Sequence, residues 1–459
     1  MRIVRTNGNK FYFPYGGQSL YQLGEYVACQ SYTKDGKLRE MSPEIDFTSK
    51  EWAWNDAPTL INRRRIIFEA HSLSIIQNQQ ALSVNDYSIE EKNKIIIRDK
   101  RWVESNFPQE ILQALRDDKI DLYINHAVEG WNDVDFESLC KIFNIKPTQL
   151  VWVTSLYNTD RTMPIPQLEW SCGIIPNKLG VRVVFDNFWE KHLARCMADE
   201  QGGEKKFQKQ IRCIEEKTPR TMLATMYARR VRTPRTFLVA LMHEYNLLDK
   251  IHWSYGIAIE GNQLKKFNED IVDHMKKLNK RDGGLLFKDE SIDWVSSLTK
   301  NQYADKHRLE DNLAHGQITW SHTYNTKMMI INETQPRSDF DWRSPDVVAK
   351  TKTYAPFLSE KSYKPFAAGQ PFVMWGDANT VACLEEEGYR VFHEWINHSY
   401  DYMVDSTERL RILSLEIKRL SELSEEVWAN MLIEMLPDIE HNRKLLMSTH
   451  TSNHALLNV

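Results

Sequence analysis

The sequence predicts an α/β protein with two doubly wound parallel sheets and a helical C-terminal segment. Three observations predict it. Over residues 328–392, apolar runs of strand length alternate with helical segments in the order strand, helix, strand, helix, strand. The same alternation stands at 120–185, where Ile120–Asn125, Gln149–Thr154 and Val181–Phe185 read as strands and Asp135–Phe143 as a helix between the first two. The length of 459 residues exceeds one typical domain, so two are expected.

Taken in order, Phe11–Gly17 is an aromatic, glycine-rich turn, and Gly16-Gly17 either lets a ligand approach the backbone or simply turns the chain. Residues 49–70 carry tryptophans and the basic run Arg63-Arg64-Arg65, and 88–118 reads as helical. The charged, glycine-containing stretch Ala198–Lys206 is the candidate linker. After it, Pro219–Leu238 reads as a strand, a basic turn and a helix. Met328–Thr334 is the next strand. Ser359 caps a helix that Gly369 ends, and Gln370–Gly376 is a short apolar strand. A second helix runs to Gly388, with Tyr389–Phe392 as a further strand. Leu410, Leu413, Ile417 and Leu420 then recur at helical spacing, so 405–445 is helical. The expected domains are 1–200, 215–404 and a helical tail over 405–459.

The helix that opens at Ser359 carries the sharpest chemistry. Glu360 and Lys361 occupy its first turn, and Lys364 the next. A lysine adds positive charge where a helix N-terminus is already positive. That pairing suits a bound anion such as a nucleotide phosphate, with Glu360 free to accept from ribose hydroxyls. A capped surface helix with a solvated Glu-Lys pair is the plainer alternative. Glu333, at the preceding strand end, either touches the donor or pairs with an arginine. Asp377, after the next strand, is a candidate for donor hydroxyls. Tyr324 either stacks on the nucleobase or belongs to the core, and His322 reads as structural. The turn after Pro219 crowds Arg229, Arg230, Arg232 and Arg235 into seven residues, and arginine forks bind phosphate in pairs. Arg230 and Arg235 are favoured; a basic surface loop is the alternative.

Ser359-Glu360-Lys361, followed by Ala368-Gly369-Gln370-Pro371-Phe372, resembles the donor half of two-domain glycosyltransferases of the GT-B architecture, and most closely the fucosyltransferase-like Ser/Thr-Glu-Lys motif. Phe357–Asp401, with its ending Phe392–Asp401, and the later His441-Asn442 are similar to phage-encoded glycosyltransferases. The resemblance implies two Rossmann-like domains: an N-terminal acceptor domain and a C-terminal donor domain, with the helical tail returning to the first. It implies that Glu360 holds the donor ribose and Lys361 the diphosphate. The donor would be a UDP- or GDP-sugar, and the outcome inverting. Acceptors in view are a hydroxylated base in phage DNA, a glycan or a lipid-linked glycan. A catalytically inactive binding protein and a structural virion protein are the competing classes.

Glycosyl transfer needs a base for the acceptor hydroxyl and positive charge for the leaving diphosphate. The loop after Ile120–Asn125 offers His126, Glu129, Asp133 and Asp135. Glu129 is the first choice for base and Asp133 the second, although Asp133 and Asp135 better suit capping of the following helix. Asp133-Val-Asp135 and Asp339-Phe-Asp341 have the Asp-x-Asp form of a metal site, but a chain with 63 acidic residues yields such triplets by chance. No metal or cofactor is expected. The charge is mixed, 59 basic against 63 acidic residues, so nothing global draws the chain to nucleic acid, and a DNA acceptor would need a local basic cleft. Six cysteines without a Cys-x-x-Cys pair read as reduced thiols. A polar start and the lack of any apolar run of about 20 residues point to a cytoplasmic protein with no membrane span.

Overall fold

The computed structural model describes residues 2–6, 9–13, 64–69, 88–106, 109–118, 120–126, 136–154, 180–185, 187–200, 202–228, 231–256, 262–281, 286–298, 302, 317–333, 356–403 and 405–449. The chain divides into two compact units, the first formed by 1–188 with 350–355 and 451–459, the second by 189–349 and 356–450. Both are α/β, and each has its own sheet.

In the first unit, six strands lie in chain order: β1 (Arg2–Thr6), β2 (Asn9–Phe13), β3 (Arg64–Glu69), β4 (Ile120–His126), β5 (Leu150–Thr154) and β6 (Arg182–Phe185). β1 and β2 form an antiparallel pair; the remaining neighbours are parallel. Helix α1 (Ile89–Asn106) opens on a reciprocal cap, in which Ser88 N–H donates to the Glu91 carboxylate and Glu91 N–H to Ser88 Oγ. α2 (Gln109–Arg116) precedes β4 and α3 (Phe136–Phe143) follows it. The core closes around Trp152, fully buried edge-on against Phe136. The buried Asp121 carboxylate is neutralised by Arg182 at 2.8 Å.

The second unit takes in α4 (Phe188–Asp199) from Trp189 onward, and α5 (Gly203–Glu215). The expected linker at 198–206 is therefore corrected: it is the turn between two helices, with Gly202 in the left-handed region at φ +74°. Then come β7 (Met222–Ala228), α6 (Thr233–Glu244), β8 (Ile251–Tyr255), α7 (Asn262–Arg281), α8 (Asp289–Ser297), α9 (Trp320–Asn325), β9 (Thr326–Asn332), α10 (Glu360–Ala368), β10 (Phe372–Trp375) and α11 (Thr380–Glu386). The sheet is parallel throughout, in the order β10-β9-β7-β8. Its strands are almost wholly buried, as expected where helices cover both faces. α10 ends where the sequence places its stop. Gly369 sits at φ +67°, and a Cβ there would lie 2.8 Å from the Phe207 ring, so glycine answers both a backbone and a packing demand.

The helices expected as a tail, α12 (Ser406–Ser421), α13 (Glu425–Glu434) and α14 (Leu436–Ser448), pack on the second unit: α12 on β10 and α6, α13 on α5, α14 on α10. A second correction concerns Tyr389–Phe392, which is not a strand. Phe392 takes φ +68°, and the Asn442 side chain does the pairing a neighbouring strand would do. Arg390 N–H donates to Asn442 Oδ1, and Asn442 Nδ2 donates to Arg390 O, both at 2.7 Å.

Candidate functional site

In a parallel sheet whose strand order reverses, ligands bind outside the carboxyl ends of the strands at the reversal. In the second unit the order reverses about β7, which lies between β8 and β9. Three features meet at this edge: the end of β9, the start of α10 and the start of α6.

β9 delivers Glu333 one residue past its end. The carboxylate is 2% exposed and accepts from Ser359 N–H at 3.2 Å, Ser359 Oγ at 2.5 Å and Ser362 Oγ at 2.5 Å. It thus pins the first turn of α10 to the strand. Its lone pairs face these donors, so its place is to orient the Ser359-Glu360-Lys361 turn rather than to reach a sugar. Ser359 is the N-cap, accepting from Lys361 N–H at 3.2 Å.

That anchoring presents a second buried acid and two lysines. Glu360 is 3% exposed and binds Lys361 Nζ at 2.7 Å; the same ammonium donates to Ser359 Oγ at 3.3 Å. Lys364, one turn on and half-buried, makes no hydrogen bond or ion pair with another described residue. Burial lowers its pKa, Glu360 pulls it back up and Lys361 pushes it down. Two ammonium groups and a helix N-terminus thus stand beside the two carboxylates of Glu333 and Glu360, with the Glu333 oxygens taken up by the serines.

The start of α6 contributes Arg232 and Arg235. Arg232 is the N-cap residue, in extended conformation, and Arg235 is buried in the first turn. Pro234 offers no N–H, but its carbonyl accepts from Trp375 Nε1 at 3.0 Å, tying this turn to the end of β10. The Arg409 guanidinium lies 5.3 Å from the Trp375 ring. Asp377 follows β10 and Gly376; its carbonyl accepts from Thr380 Oγ1 at 2.6 Å and so begins α11.

Several expectations fall elsewhere. Tyr324 lies at the amino end of β9, roughly 20 Å along the strand from Glu333. There its hydroxyl donates to Lys206 O at 3.1 Å, and Lys209 sits over its ring. Burial pushes its phenol up to about 12. The nucleobase-stacking role is therefore corrected to packing between α9 and α5. His322 is held by Tyr227 Oη at 2.7 Å and stacks on His252. Glu129, Asp133, Asp135, Arg229, Arg230, Asp339 and Asp341 lie outside the described residues. Among the described residues no cluster of His, Cys, Asp or Glu forms a metal site, and no helix is long and apolar enough to cross a membrane.

The segment Asn397–Asp401 proves to be scaffold. Met374 N–H, on the outer edge of β10, donates to Tyr400 Oη at 3.0 Å. His398 Nε2 must donate to the Val391 carbonyl at 2.7 Å, so Nδ1 is the acceptor for Tyr400 O–H at 2.7 Å. Burial drives the His398 pKa down to about 3, so the ring is neutral at pH 7. Asp401 accepts from Val381 N–H and Ala382 N–H, both at 3.0 Å, closing the start of α11. Sequence reading missed the roles of Ser362, His398 and Tyr400, and also Asn332, a strand-disfavoured residue at the end of β9.

A scan against protein-family models matches none, and searches of curated proteins and of solved structures return no match.

Proposed function

We propose that the protein is a metal-independent glycosyltransferase of the two-domain GT-B kind, built of two Rossmann-like domains, whose second unit binds a nucleotide-sugar. One observation carries the reading. At the carboxyl edge of a parallel sheet, beside a strand-order reversal, α10 begins with a buried Glu360 ion-paired to Lys361 and with Lys364 one turn on. The Ser359-Glu360-Lys361 resemblance agrees with that placement.

In this reading the ammonium groups of Lys361 and Lys364, with the N–H groups of the first turn of α10, take the diphosphate. They offset the charge that grows on it as the glycosidic C–O bond breaks. Glu360 accepts from ribose hydroxyls, and Arg232 and Arg235 add cationic character at the α6 start. The acceptor oxygen bonds to the anomeric carbon as its proton passes to a carboxylate, for which Glu129, between β4 and α3 in the sequence, is the assignment. A hydroxylated DNA base remains the acceptor to screen first, followed by glycans.

A thermal-shift panel of UDP, GDP, CDP, ADP, dTDP and their sugars tests the reading. Ligand at 100 times its dissociation constant adds about 2.7 kcal/mol, a visible rise in midpoint. A shift with one nucleotide class is expected. No shift with any of them would overturn the proposal in favour of a structural or binding role.

A further inference from the structure

Asn332 is the last residue of β9 and is 2% exposed. Neither its Oδ1 nor its Nδ2 has a hydrogen-bond partner. A buried amide left unsatisfied at both ends is costly and rare in a folded interior. Here it stands at the carboxyl edge of the sheet where the strand order reverses, next to Glu333. The register fixes its face. Asn332 pairs with Trp375, so the two side chains lie on the same side of the sheet. That side is the one from which Trp375 reaches Pro234 O in the first turn of α6. The amide is therefore aimed toward the α6 start, across the strand end from the Glu360–Lys361 turn.

We infer that the Asn332 side-chain amide is a donor-reading group, taking a hydroxyl of the nucleotide-sugar. The inference rests on the nucleotide-sugar reading above and names a contact within it. The chemistry selects the ligand atoms. A phosphate oxygen only accepts, so it would satisfy Nδ2 and leave Oδ1 unpaired. A sugar hydroxyl both donates and accepts, and a pair of neighbouring hydroxyls satisfies both ends of the amide. Ribose and the transferred sugar share that chemistry. Selectivity follows from the same fact, because a site built to pair a hydroxyl discriminates strongly against an analogue lacking it.

The test is calorimetric titration of wild type, Asn332→Leu and Asn332→Ala with a nucleoside diphosphate and with its nucleotide-sugar, alongside ligand-free melting. Asn332→Leu replaces the unpaired amide by an apolar group of similar size. It is expected to melt at or above wild type while binding nucleotide-sugar at least tenfold more weakly. Asn332→Ala should show the same loss of affinity. Equal loss for diphosphate and nucleotide-sugar assigns the contact to ribose; loss confined to the nucleotide-sugar assigns it to the transferred sugar. Wild-type affinity in both variants overturns the inference and leaves the nucleotide-sugar reading standing. A large fall in ligand-free melting for both variants also overturns it, by making Asn332 structural. If wild type itself binds neither ligand, the underlying reading fails, and the inference with it.

Discussion

The described strands of the first sheet run in chain order from β1 to β6; those of the second reverse about β7. A parallel sheet that never reverses sends its right-handed crossovers to one face. A reversal sends them to both faces and opens a crevice at the strand ends. The distribution of charge follows the difference. In the first sheet the buried Asp121 sits near the amino end of β4 and is neutralised by Arg182. In the second, Glu333, Glu360, Lys361 and Lys364 collect at the carboxyl edge. Topology thus separates a sheet with its buried ion pair near a strand's amino end from one that gathers charged groups at its carboxyl edge.

A smaller contrast lies within the second sheet. The His398–Tyr400 chain closes on Val391 O and the edge of β10, and Asp401 closes on the start of α11. At the α10 start Lys364 makes no hydrogen bond or ion pair with another described residue. A closed network holds shape, whereas a cation without an ion pair suits a ligand.

The largest expected effect sharpens the first contrast. Trp375→Ala and Trp152→Ala each remove a fully buried indole and should each cost about 4 kcal/mol in denaturant unfolding. Only Trp375→Ala should also abolish the nucleotide-induced shift; loss of that shift in Trp152→Ala alone would assign the site to the wrong sheet. Next comes Glu333→Ala, which strands Ser359 N–H and two hydroxyls and should lower stability by about 2–3 kcal/mol. An unchanged unfolding midpoint would show that the strand does not anchor α10.

The pH dependence tests the closed network. The folded His398 titrates near 3, below its usual 6.5, so between those values the unfolded chain binds a proton that the folded state refuses. Its contribution is full above about pH 6.5 and lost as pH falls toward 3. Asp401, raised to about 6 by burial, acts oppositely between about pH 4 and 6, where the folded state keeps a proton the unfolded chain releases. His398→Gln should therefore flatten the acid loss of stability relative to wild type, as read from unfolding at pH 7 and pH 4. An equally steep loss in the variant would contradict the assignment. The smallest effect is that of Lys364→Met. Removing an ammonium that burial disfavours should leave ligand-free stability within about 0.5 kcal/mol of wild type, or raise it, while weakening nucleotide binding.

Much of the second unit was legible in the sequence because its signals are local. Ser359 caps and Gly369 stops α10 through backbone geometry a few residues wide, and the apolar runs at β9 and β10 have strand length. What escaped depends on distant partners. Tyr389–Phe392 has strand composition, yet Asn442 on α14 supplies its pairing and Phe392 turns out of the strand region. Residues 198–206 have linker composition, yet they join two helices of one unit. Tyr324 is near Glu333 in sequence but lies at the other end of the strand between them. Glu333 read as a ligand contact because nothing local shows that Ser359 and Ser362 will fold back onto it. The isolation of Asn332 is visible only once the register with Trp375 sets which face it takes.

The most direct test of the central claim, that the start of α10 on the second sheet is a nucleotide-sugar site, is calorimetric titration of Lys361→Ala beside wild type. The substitution removes the counter-ion of the buried Glu360, so the variant should melt below wild type, and the titration is run at a temperature where both proteins are folded. The predicted result is at least a tenfold loss of affinity for the nucleotide that shifts wild type. Wild-type affinity in a normally folded Lys361→Ala would contradict the account and move the site elsewhere.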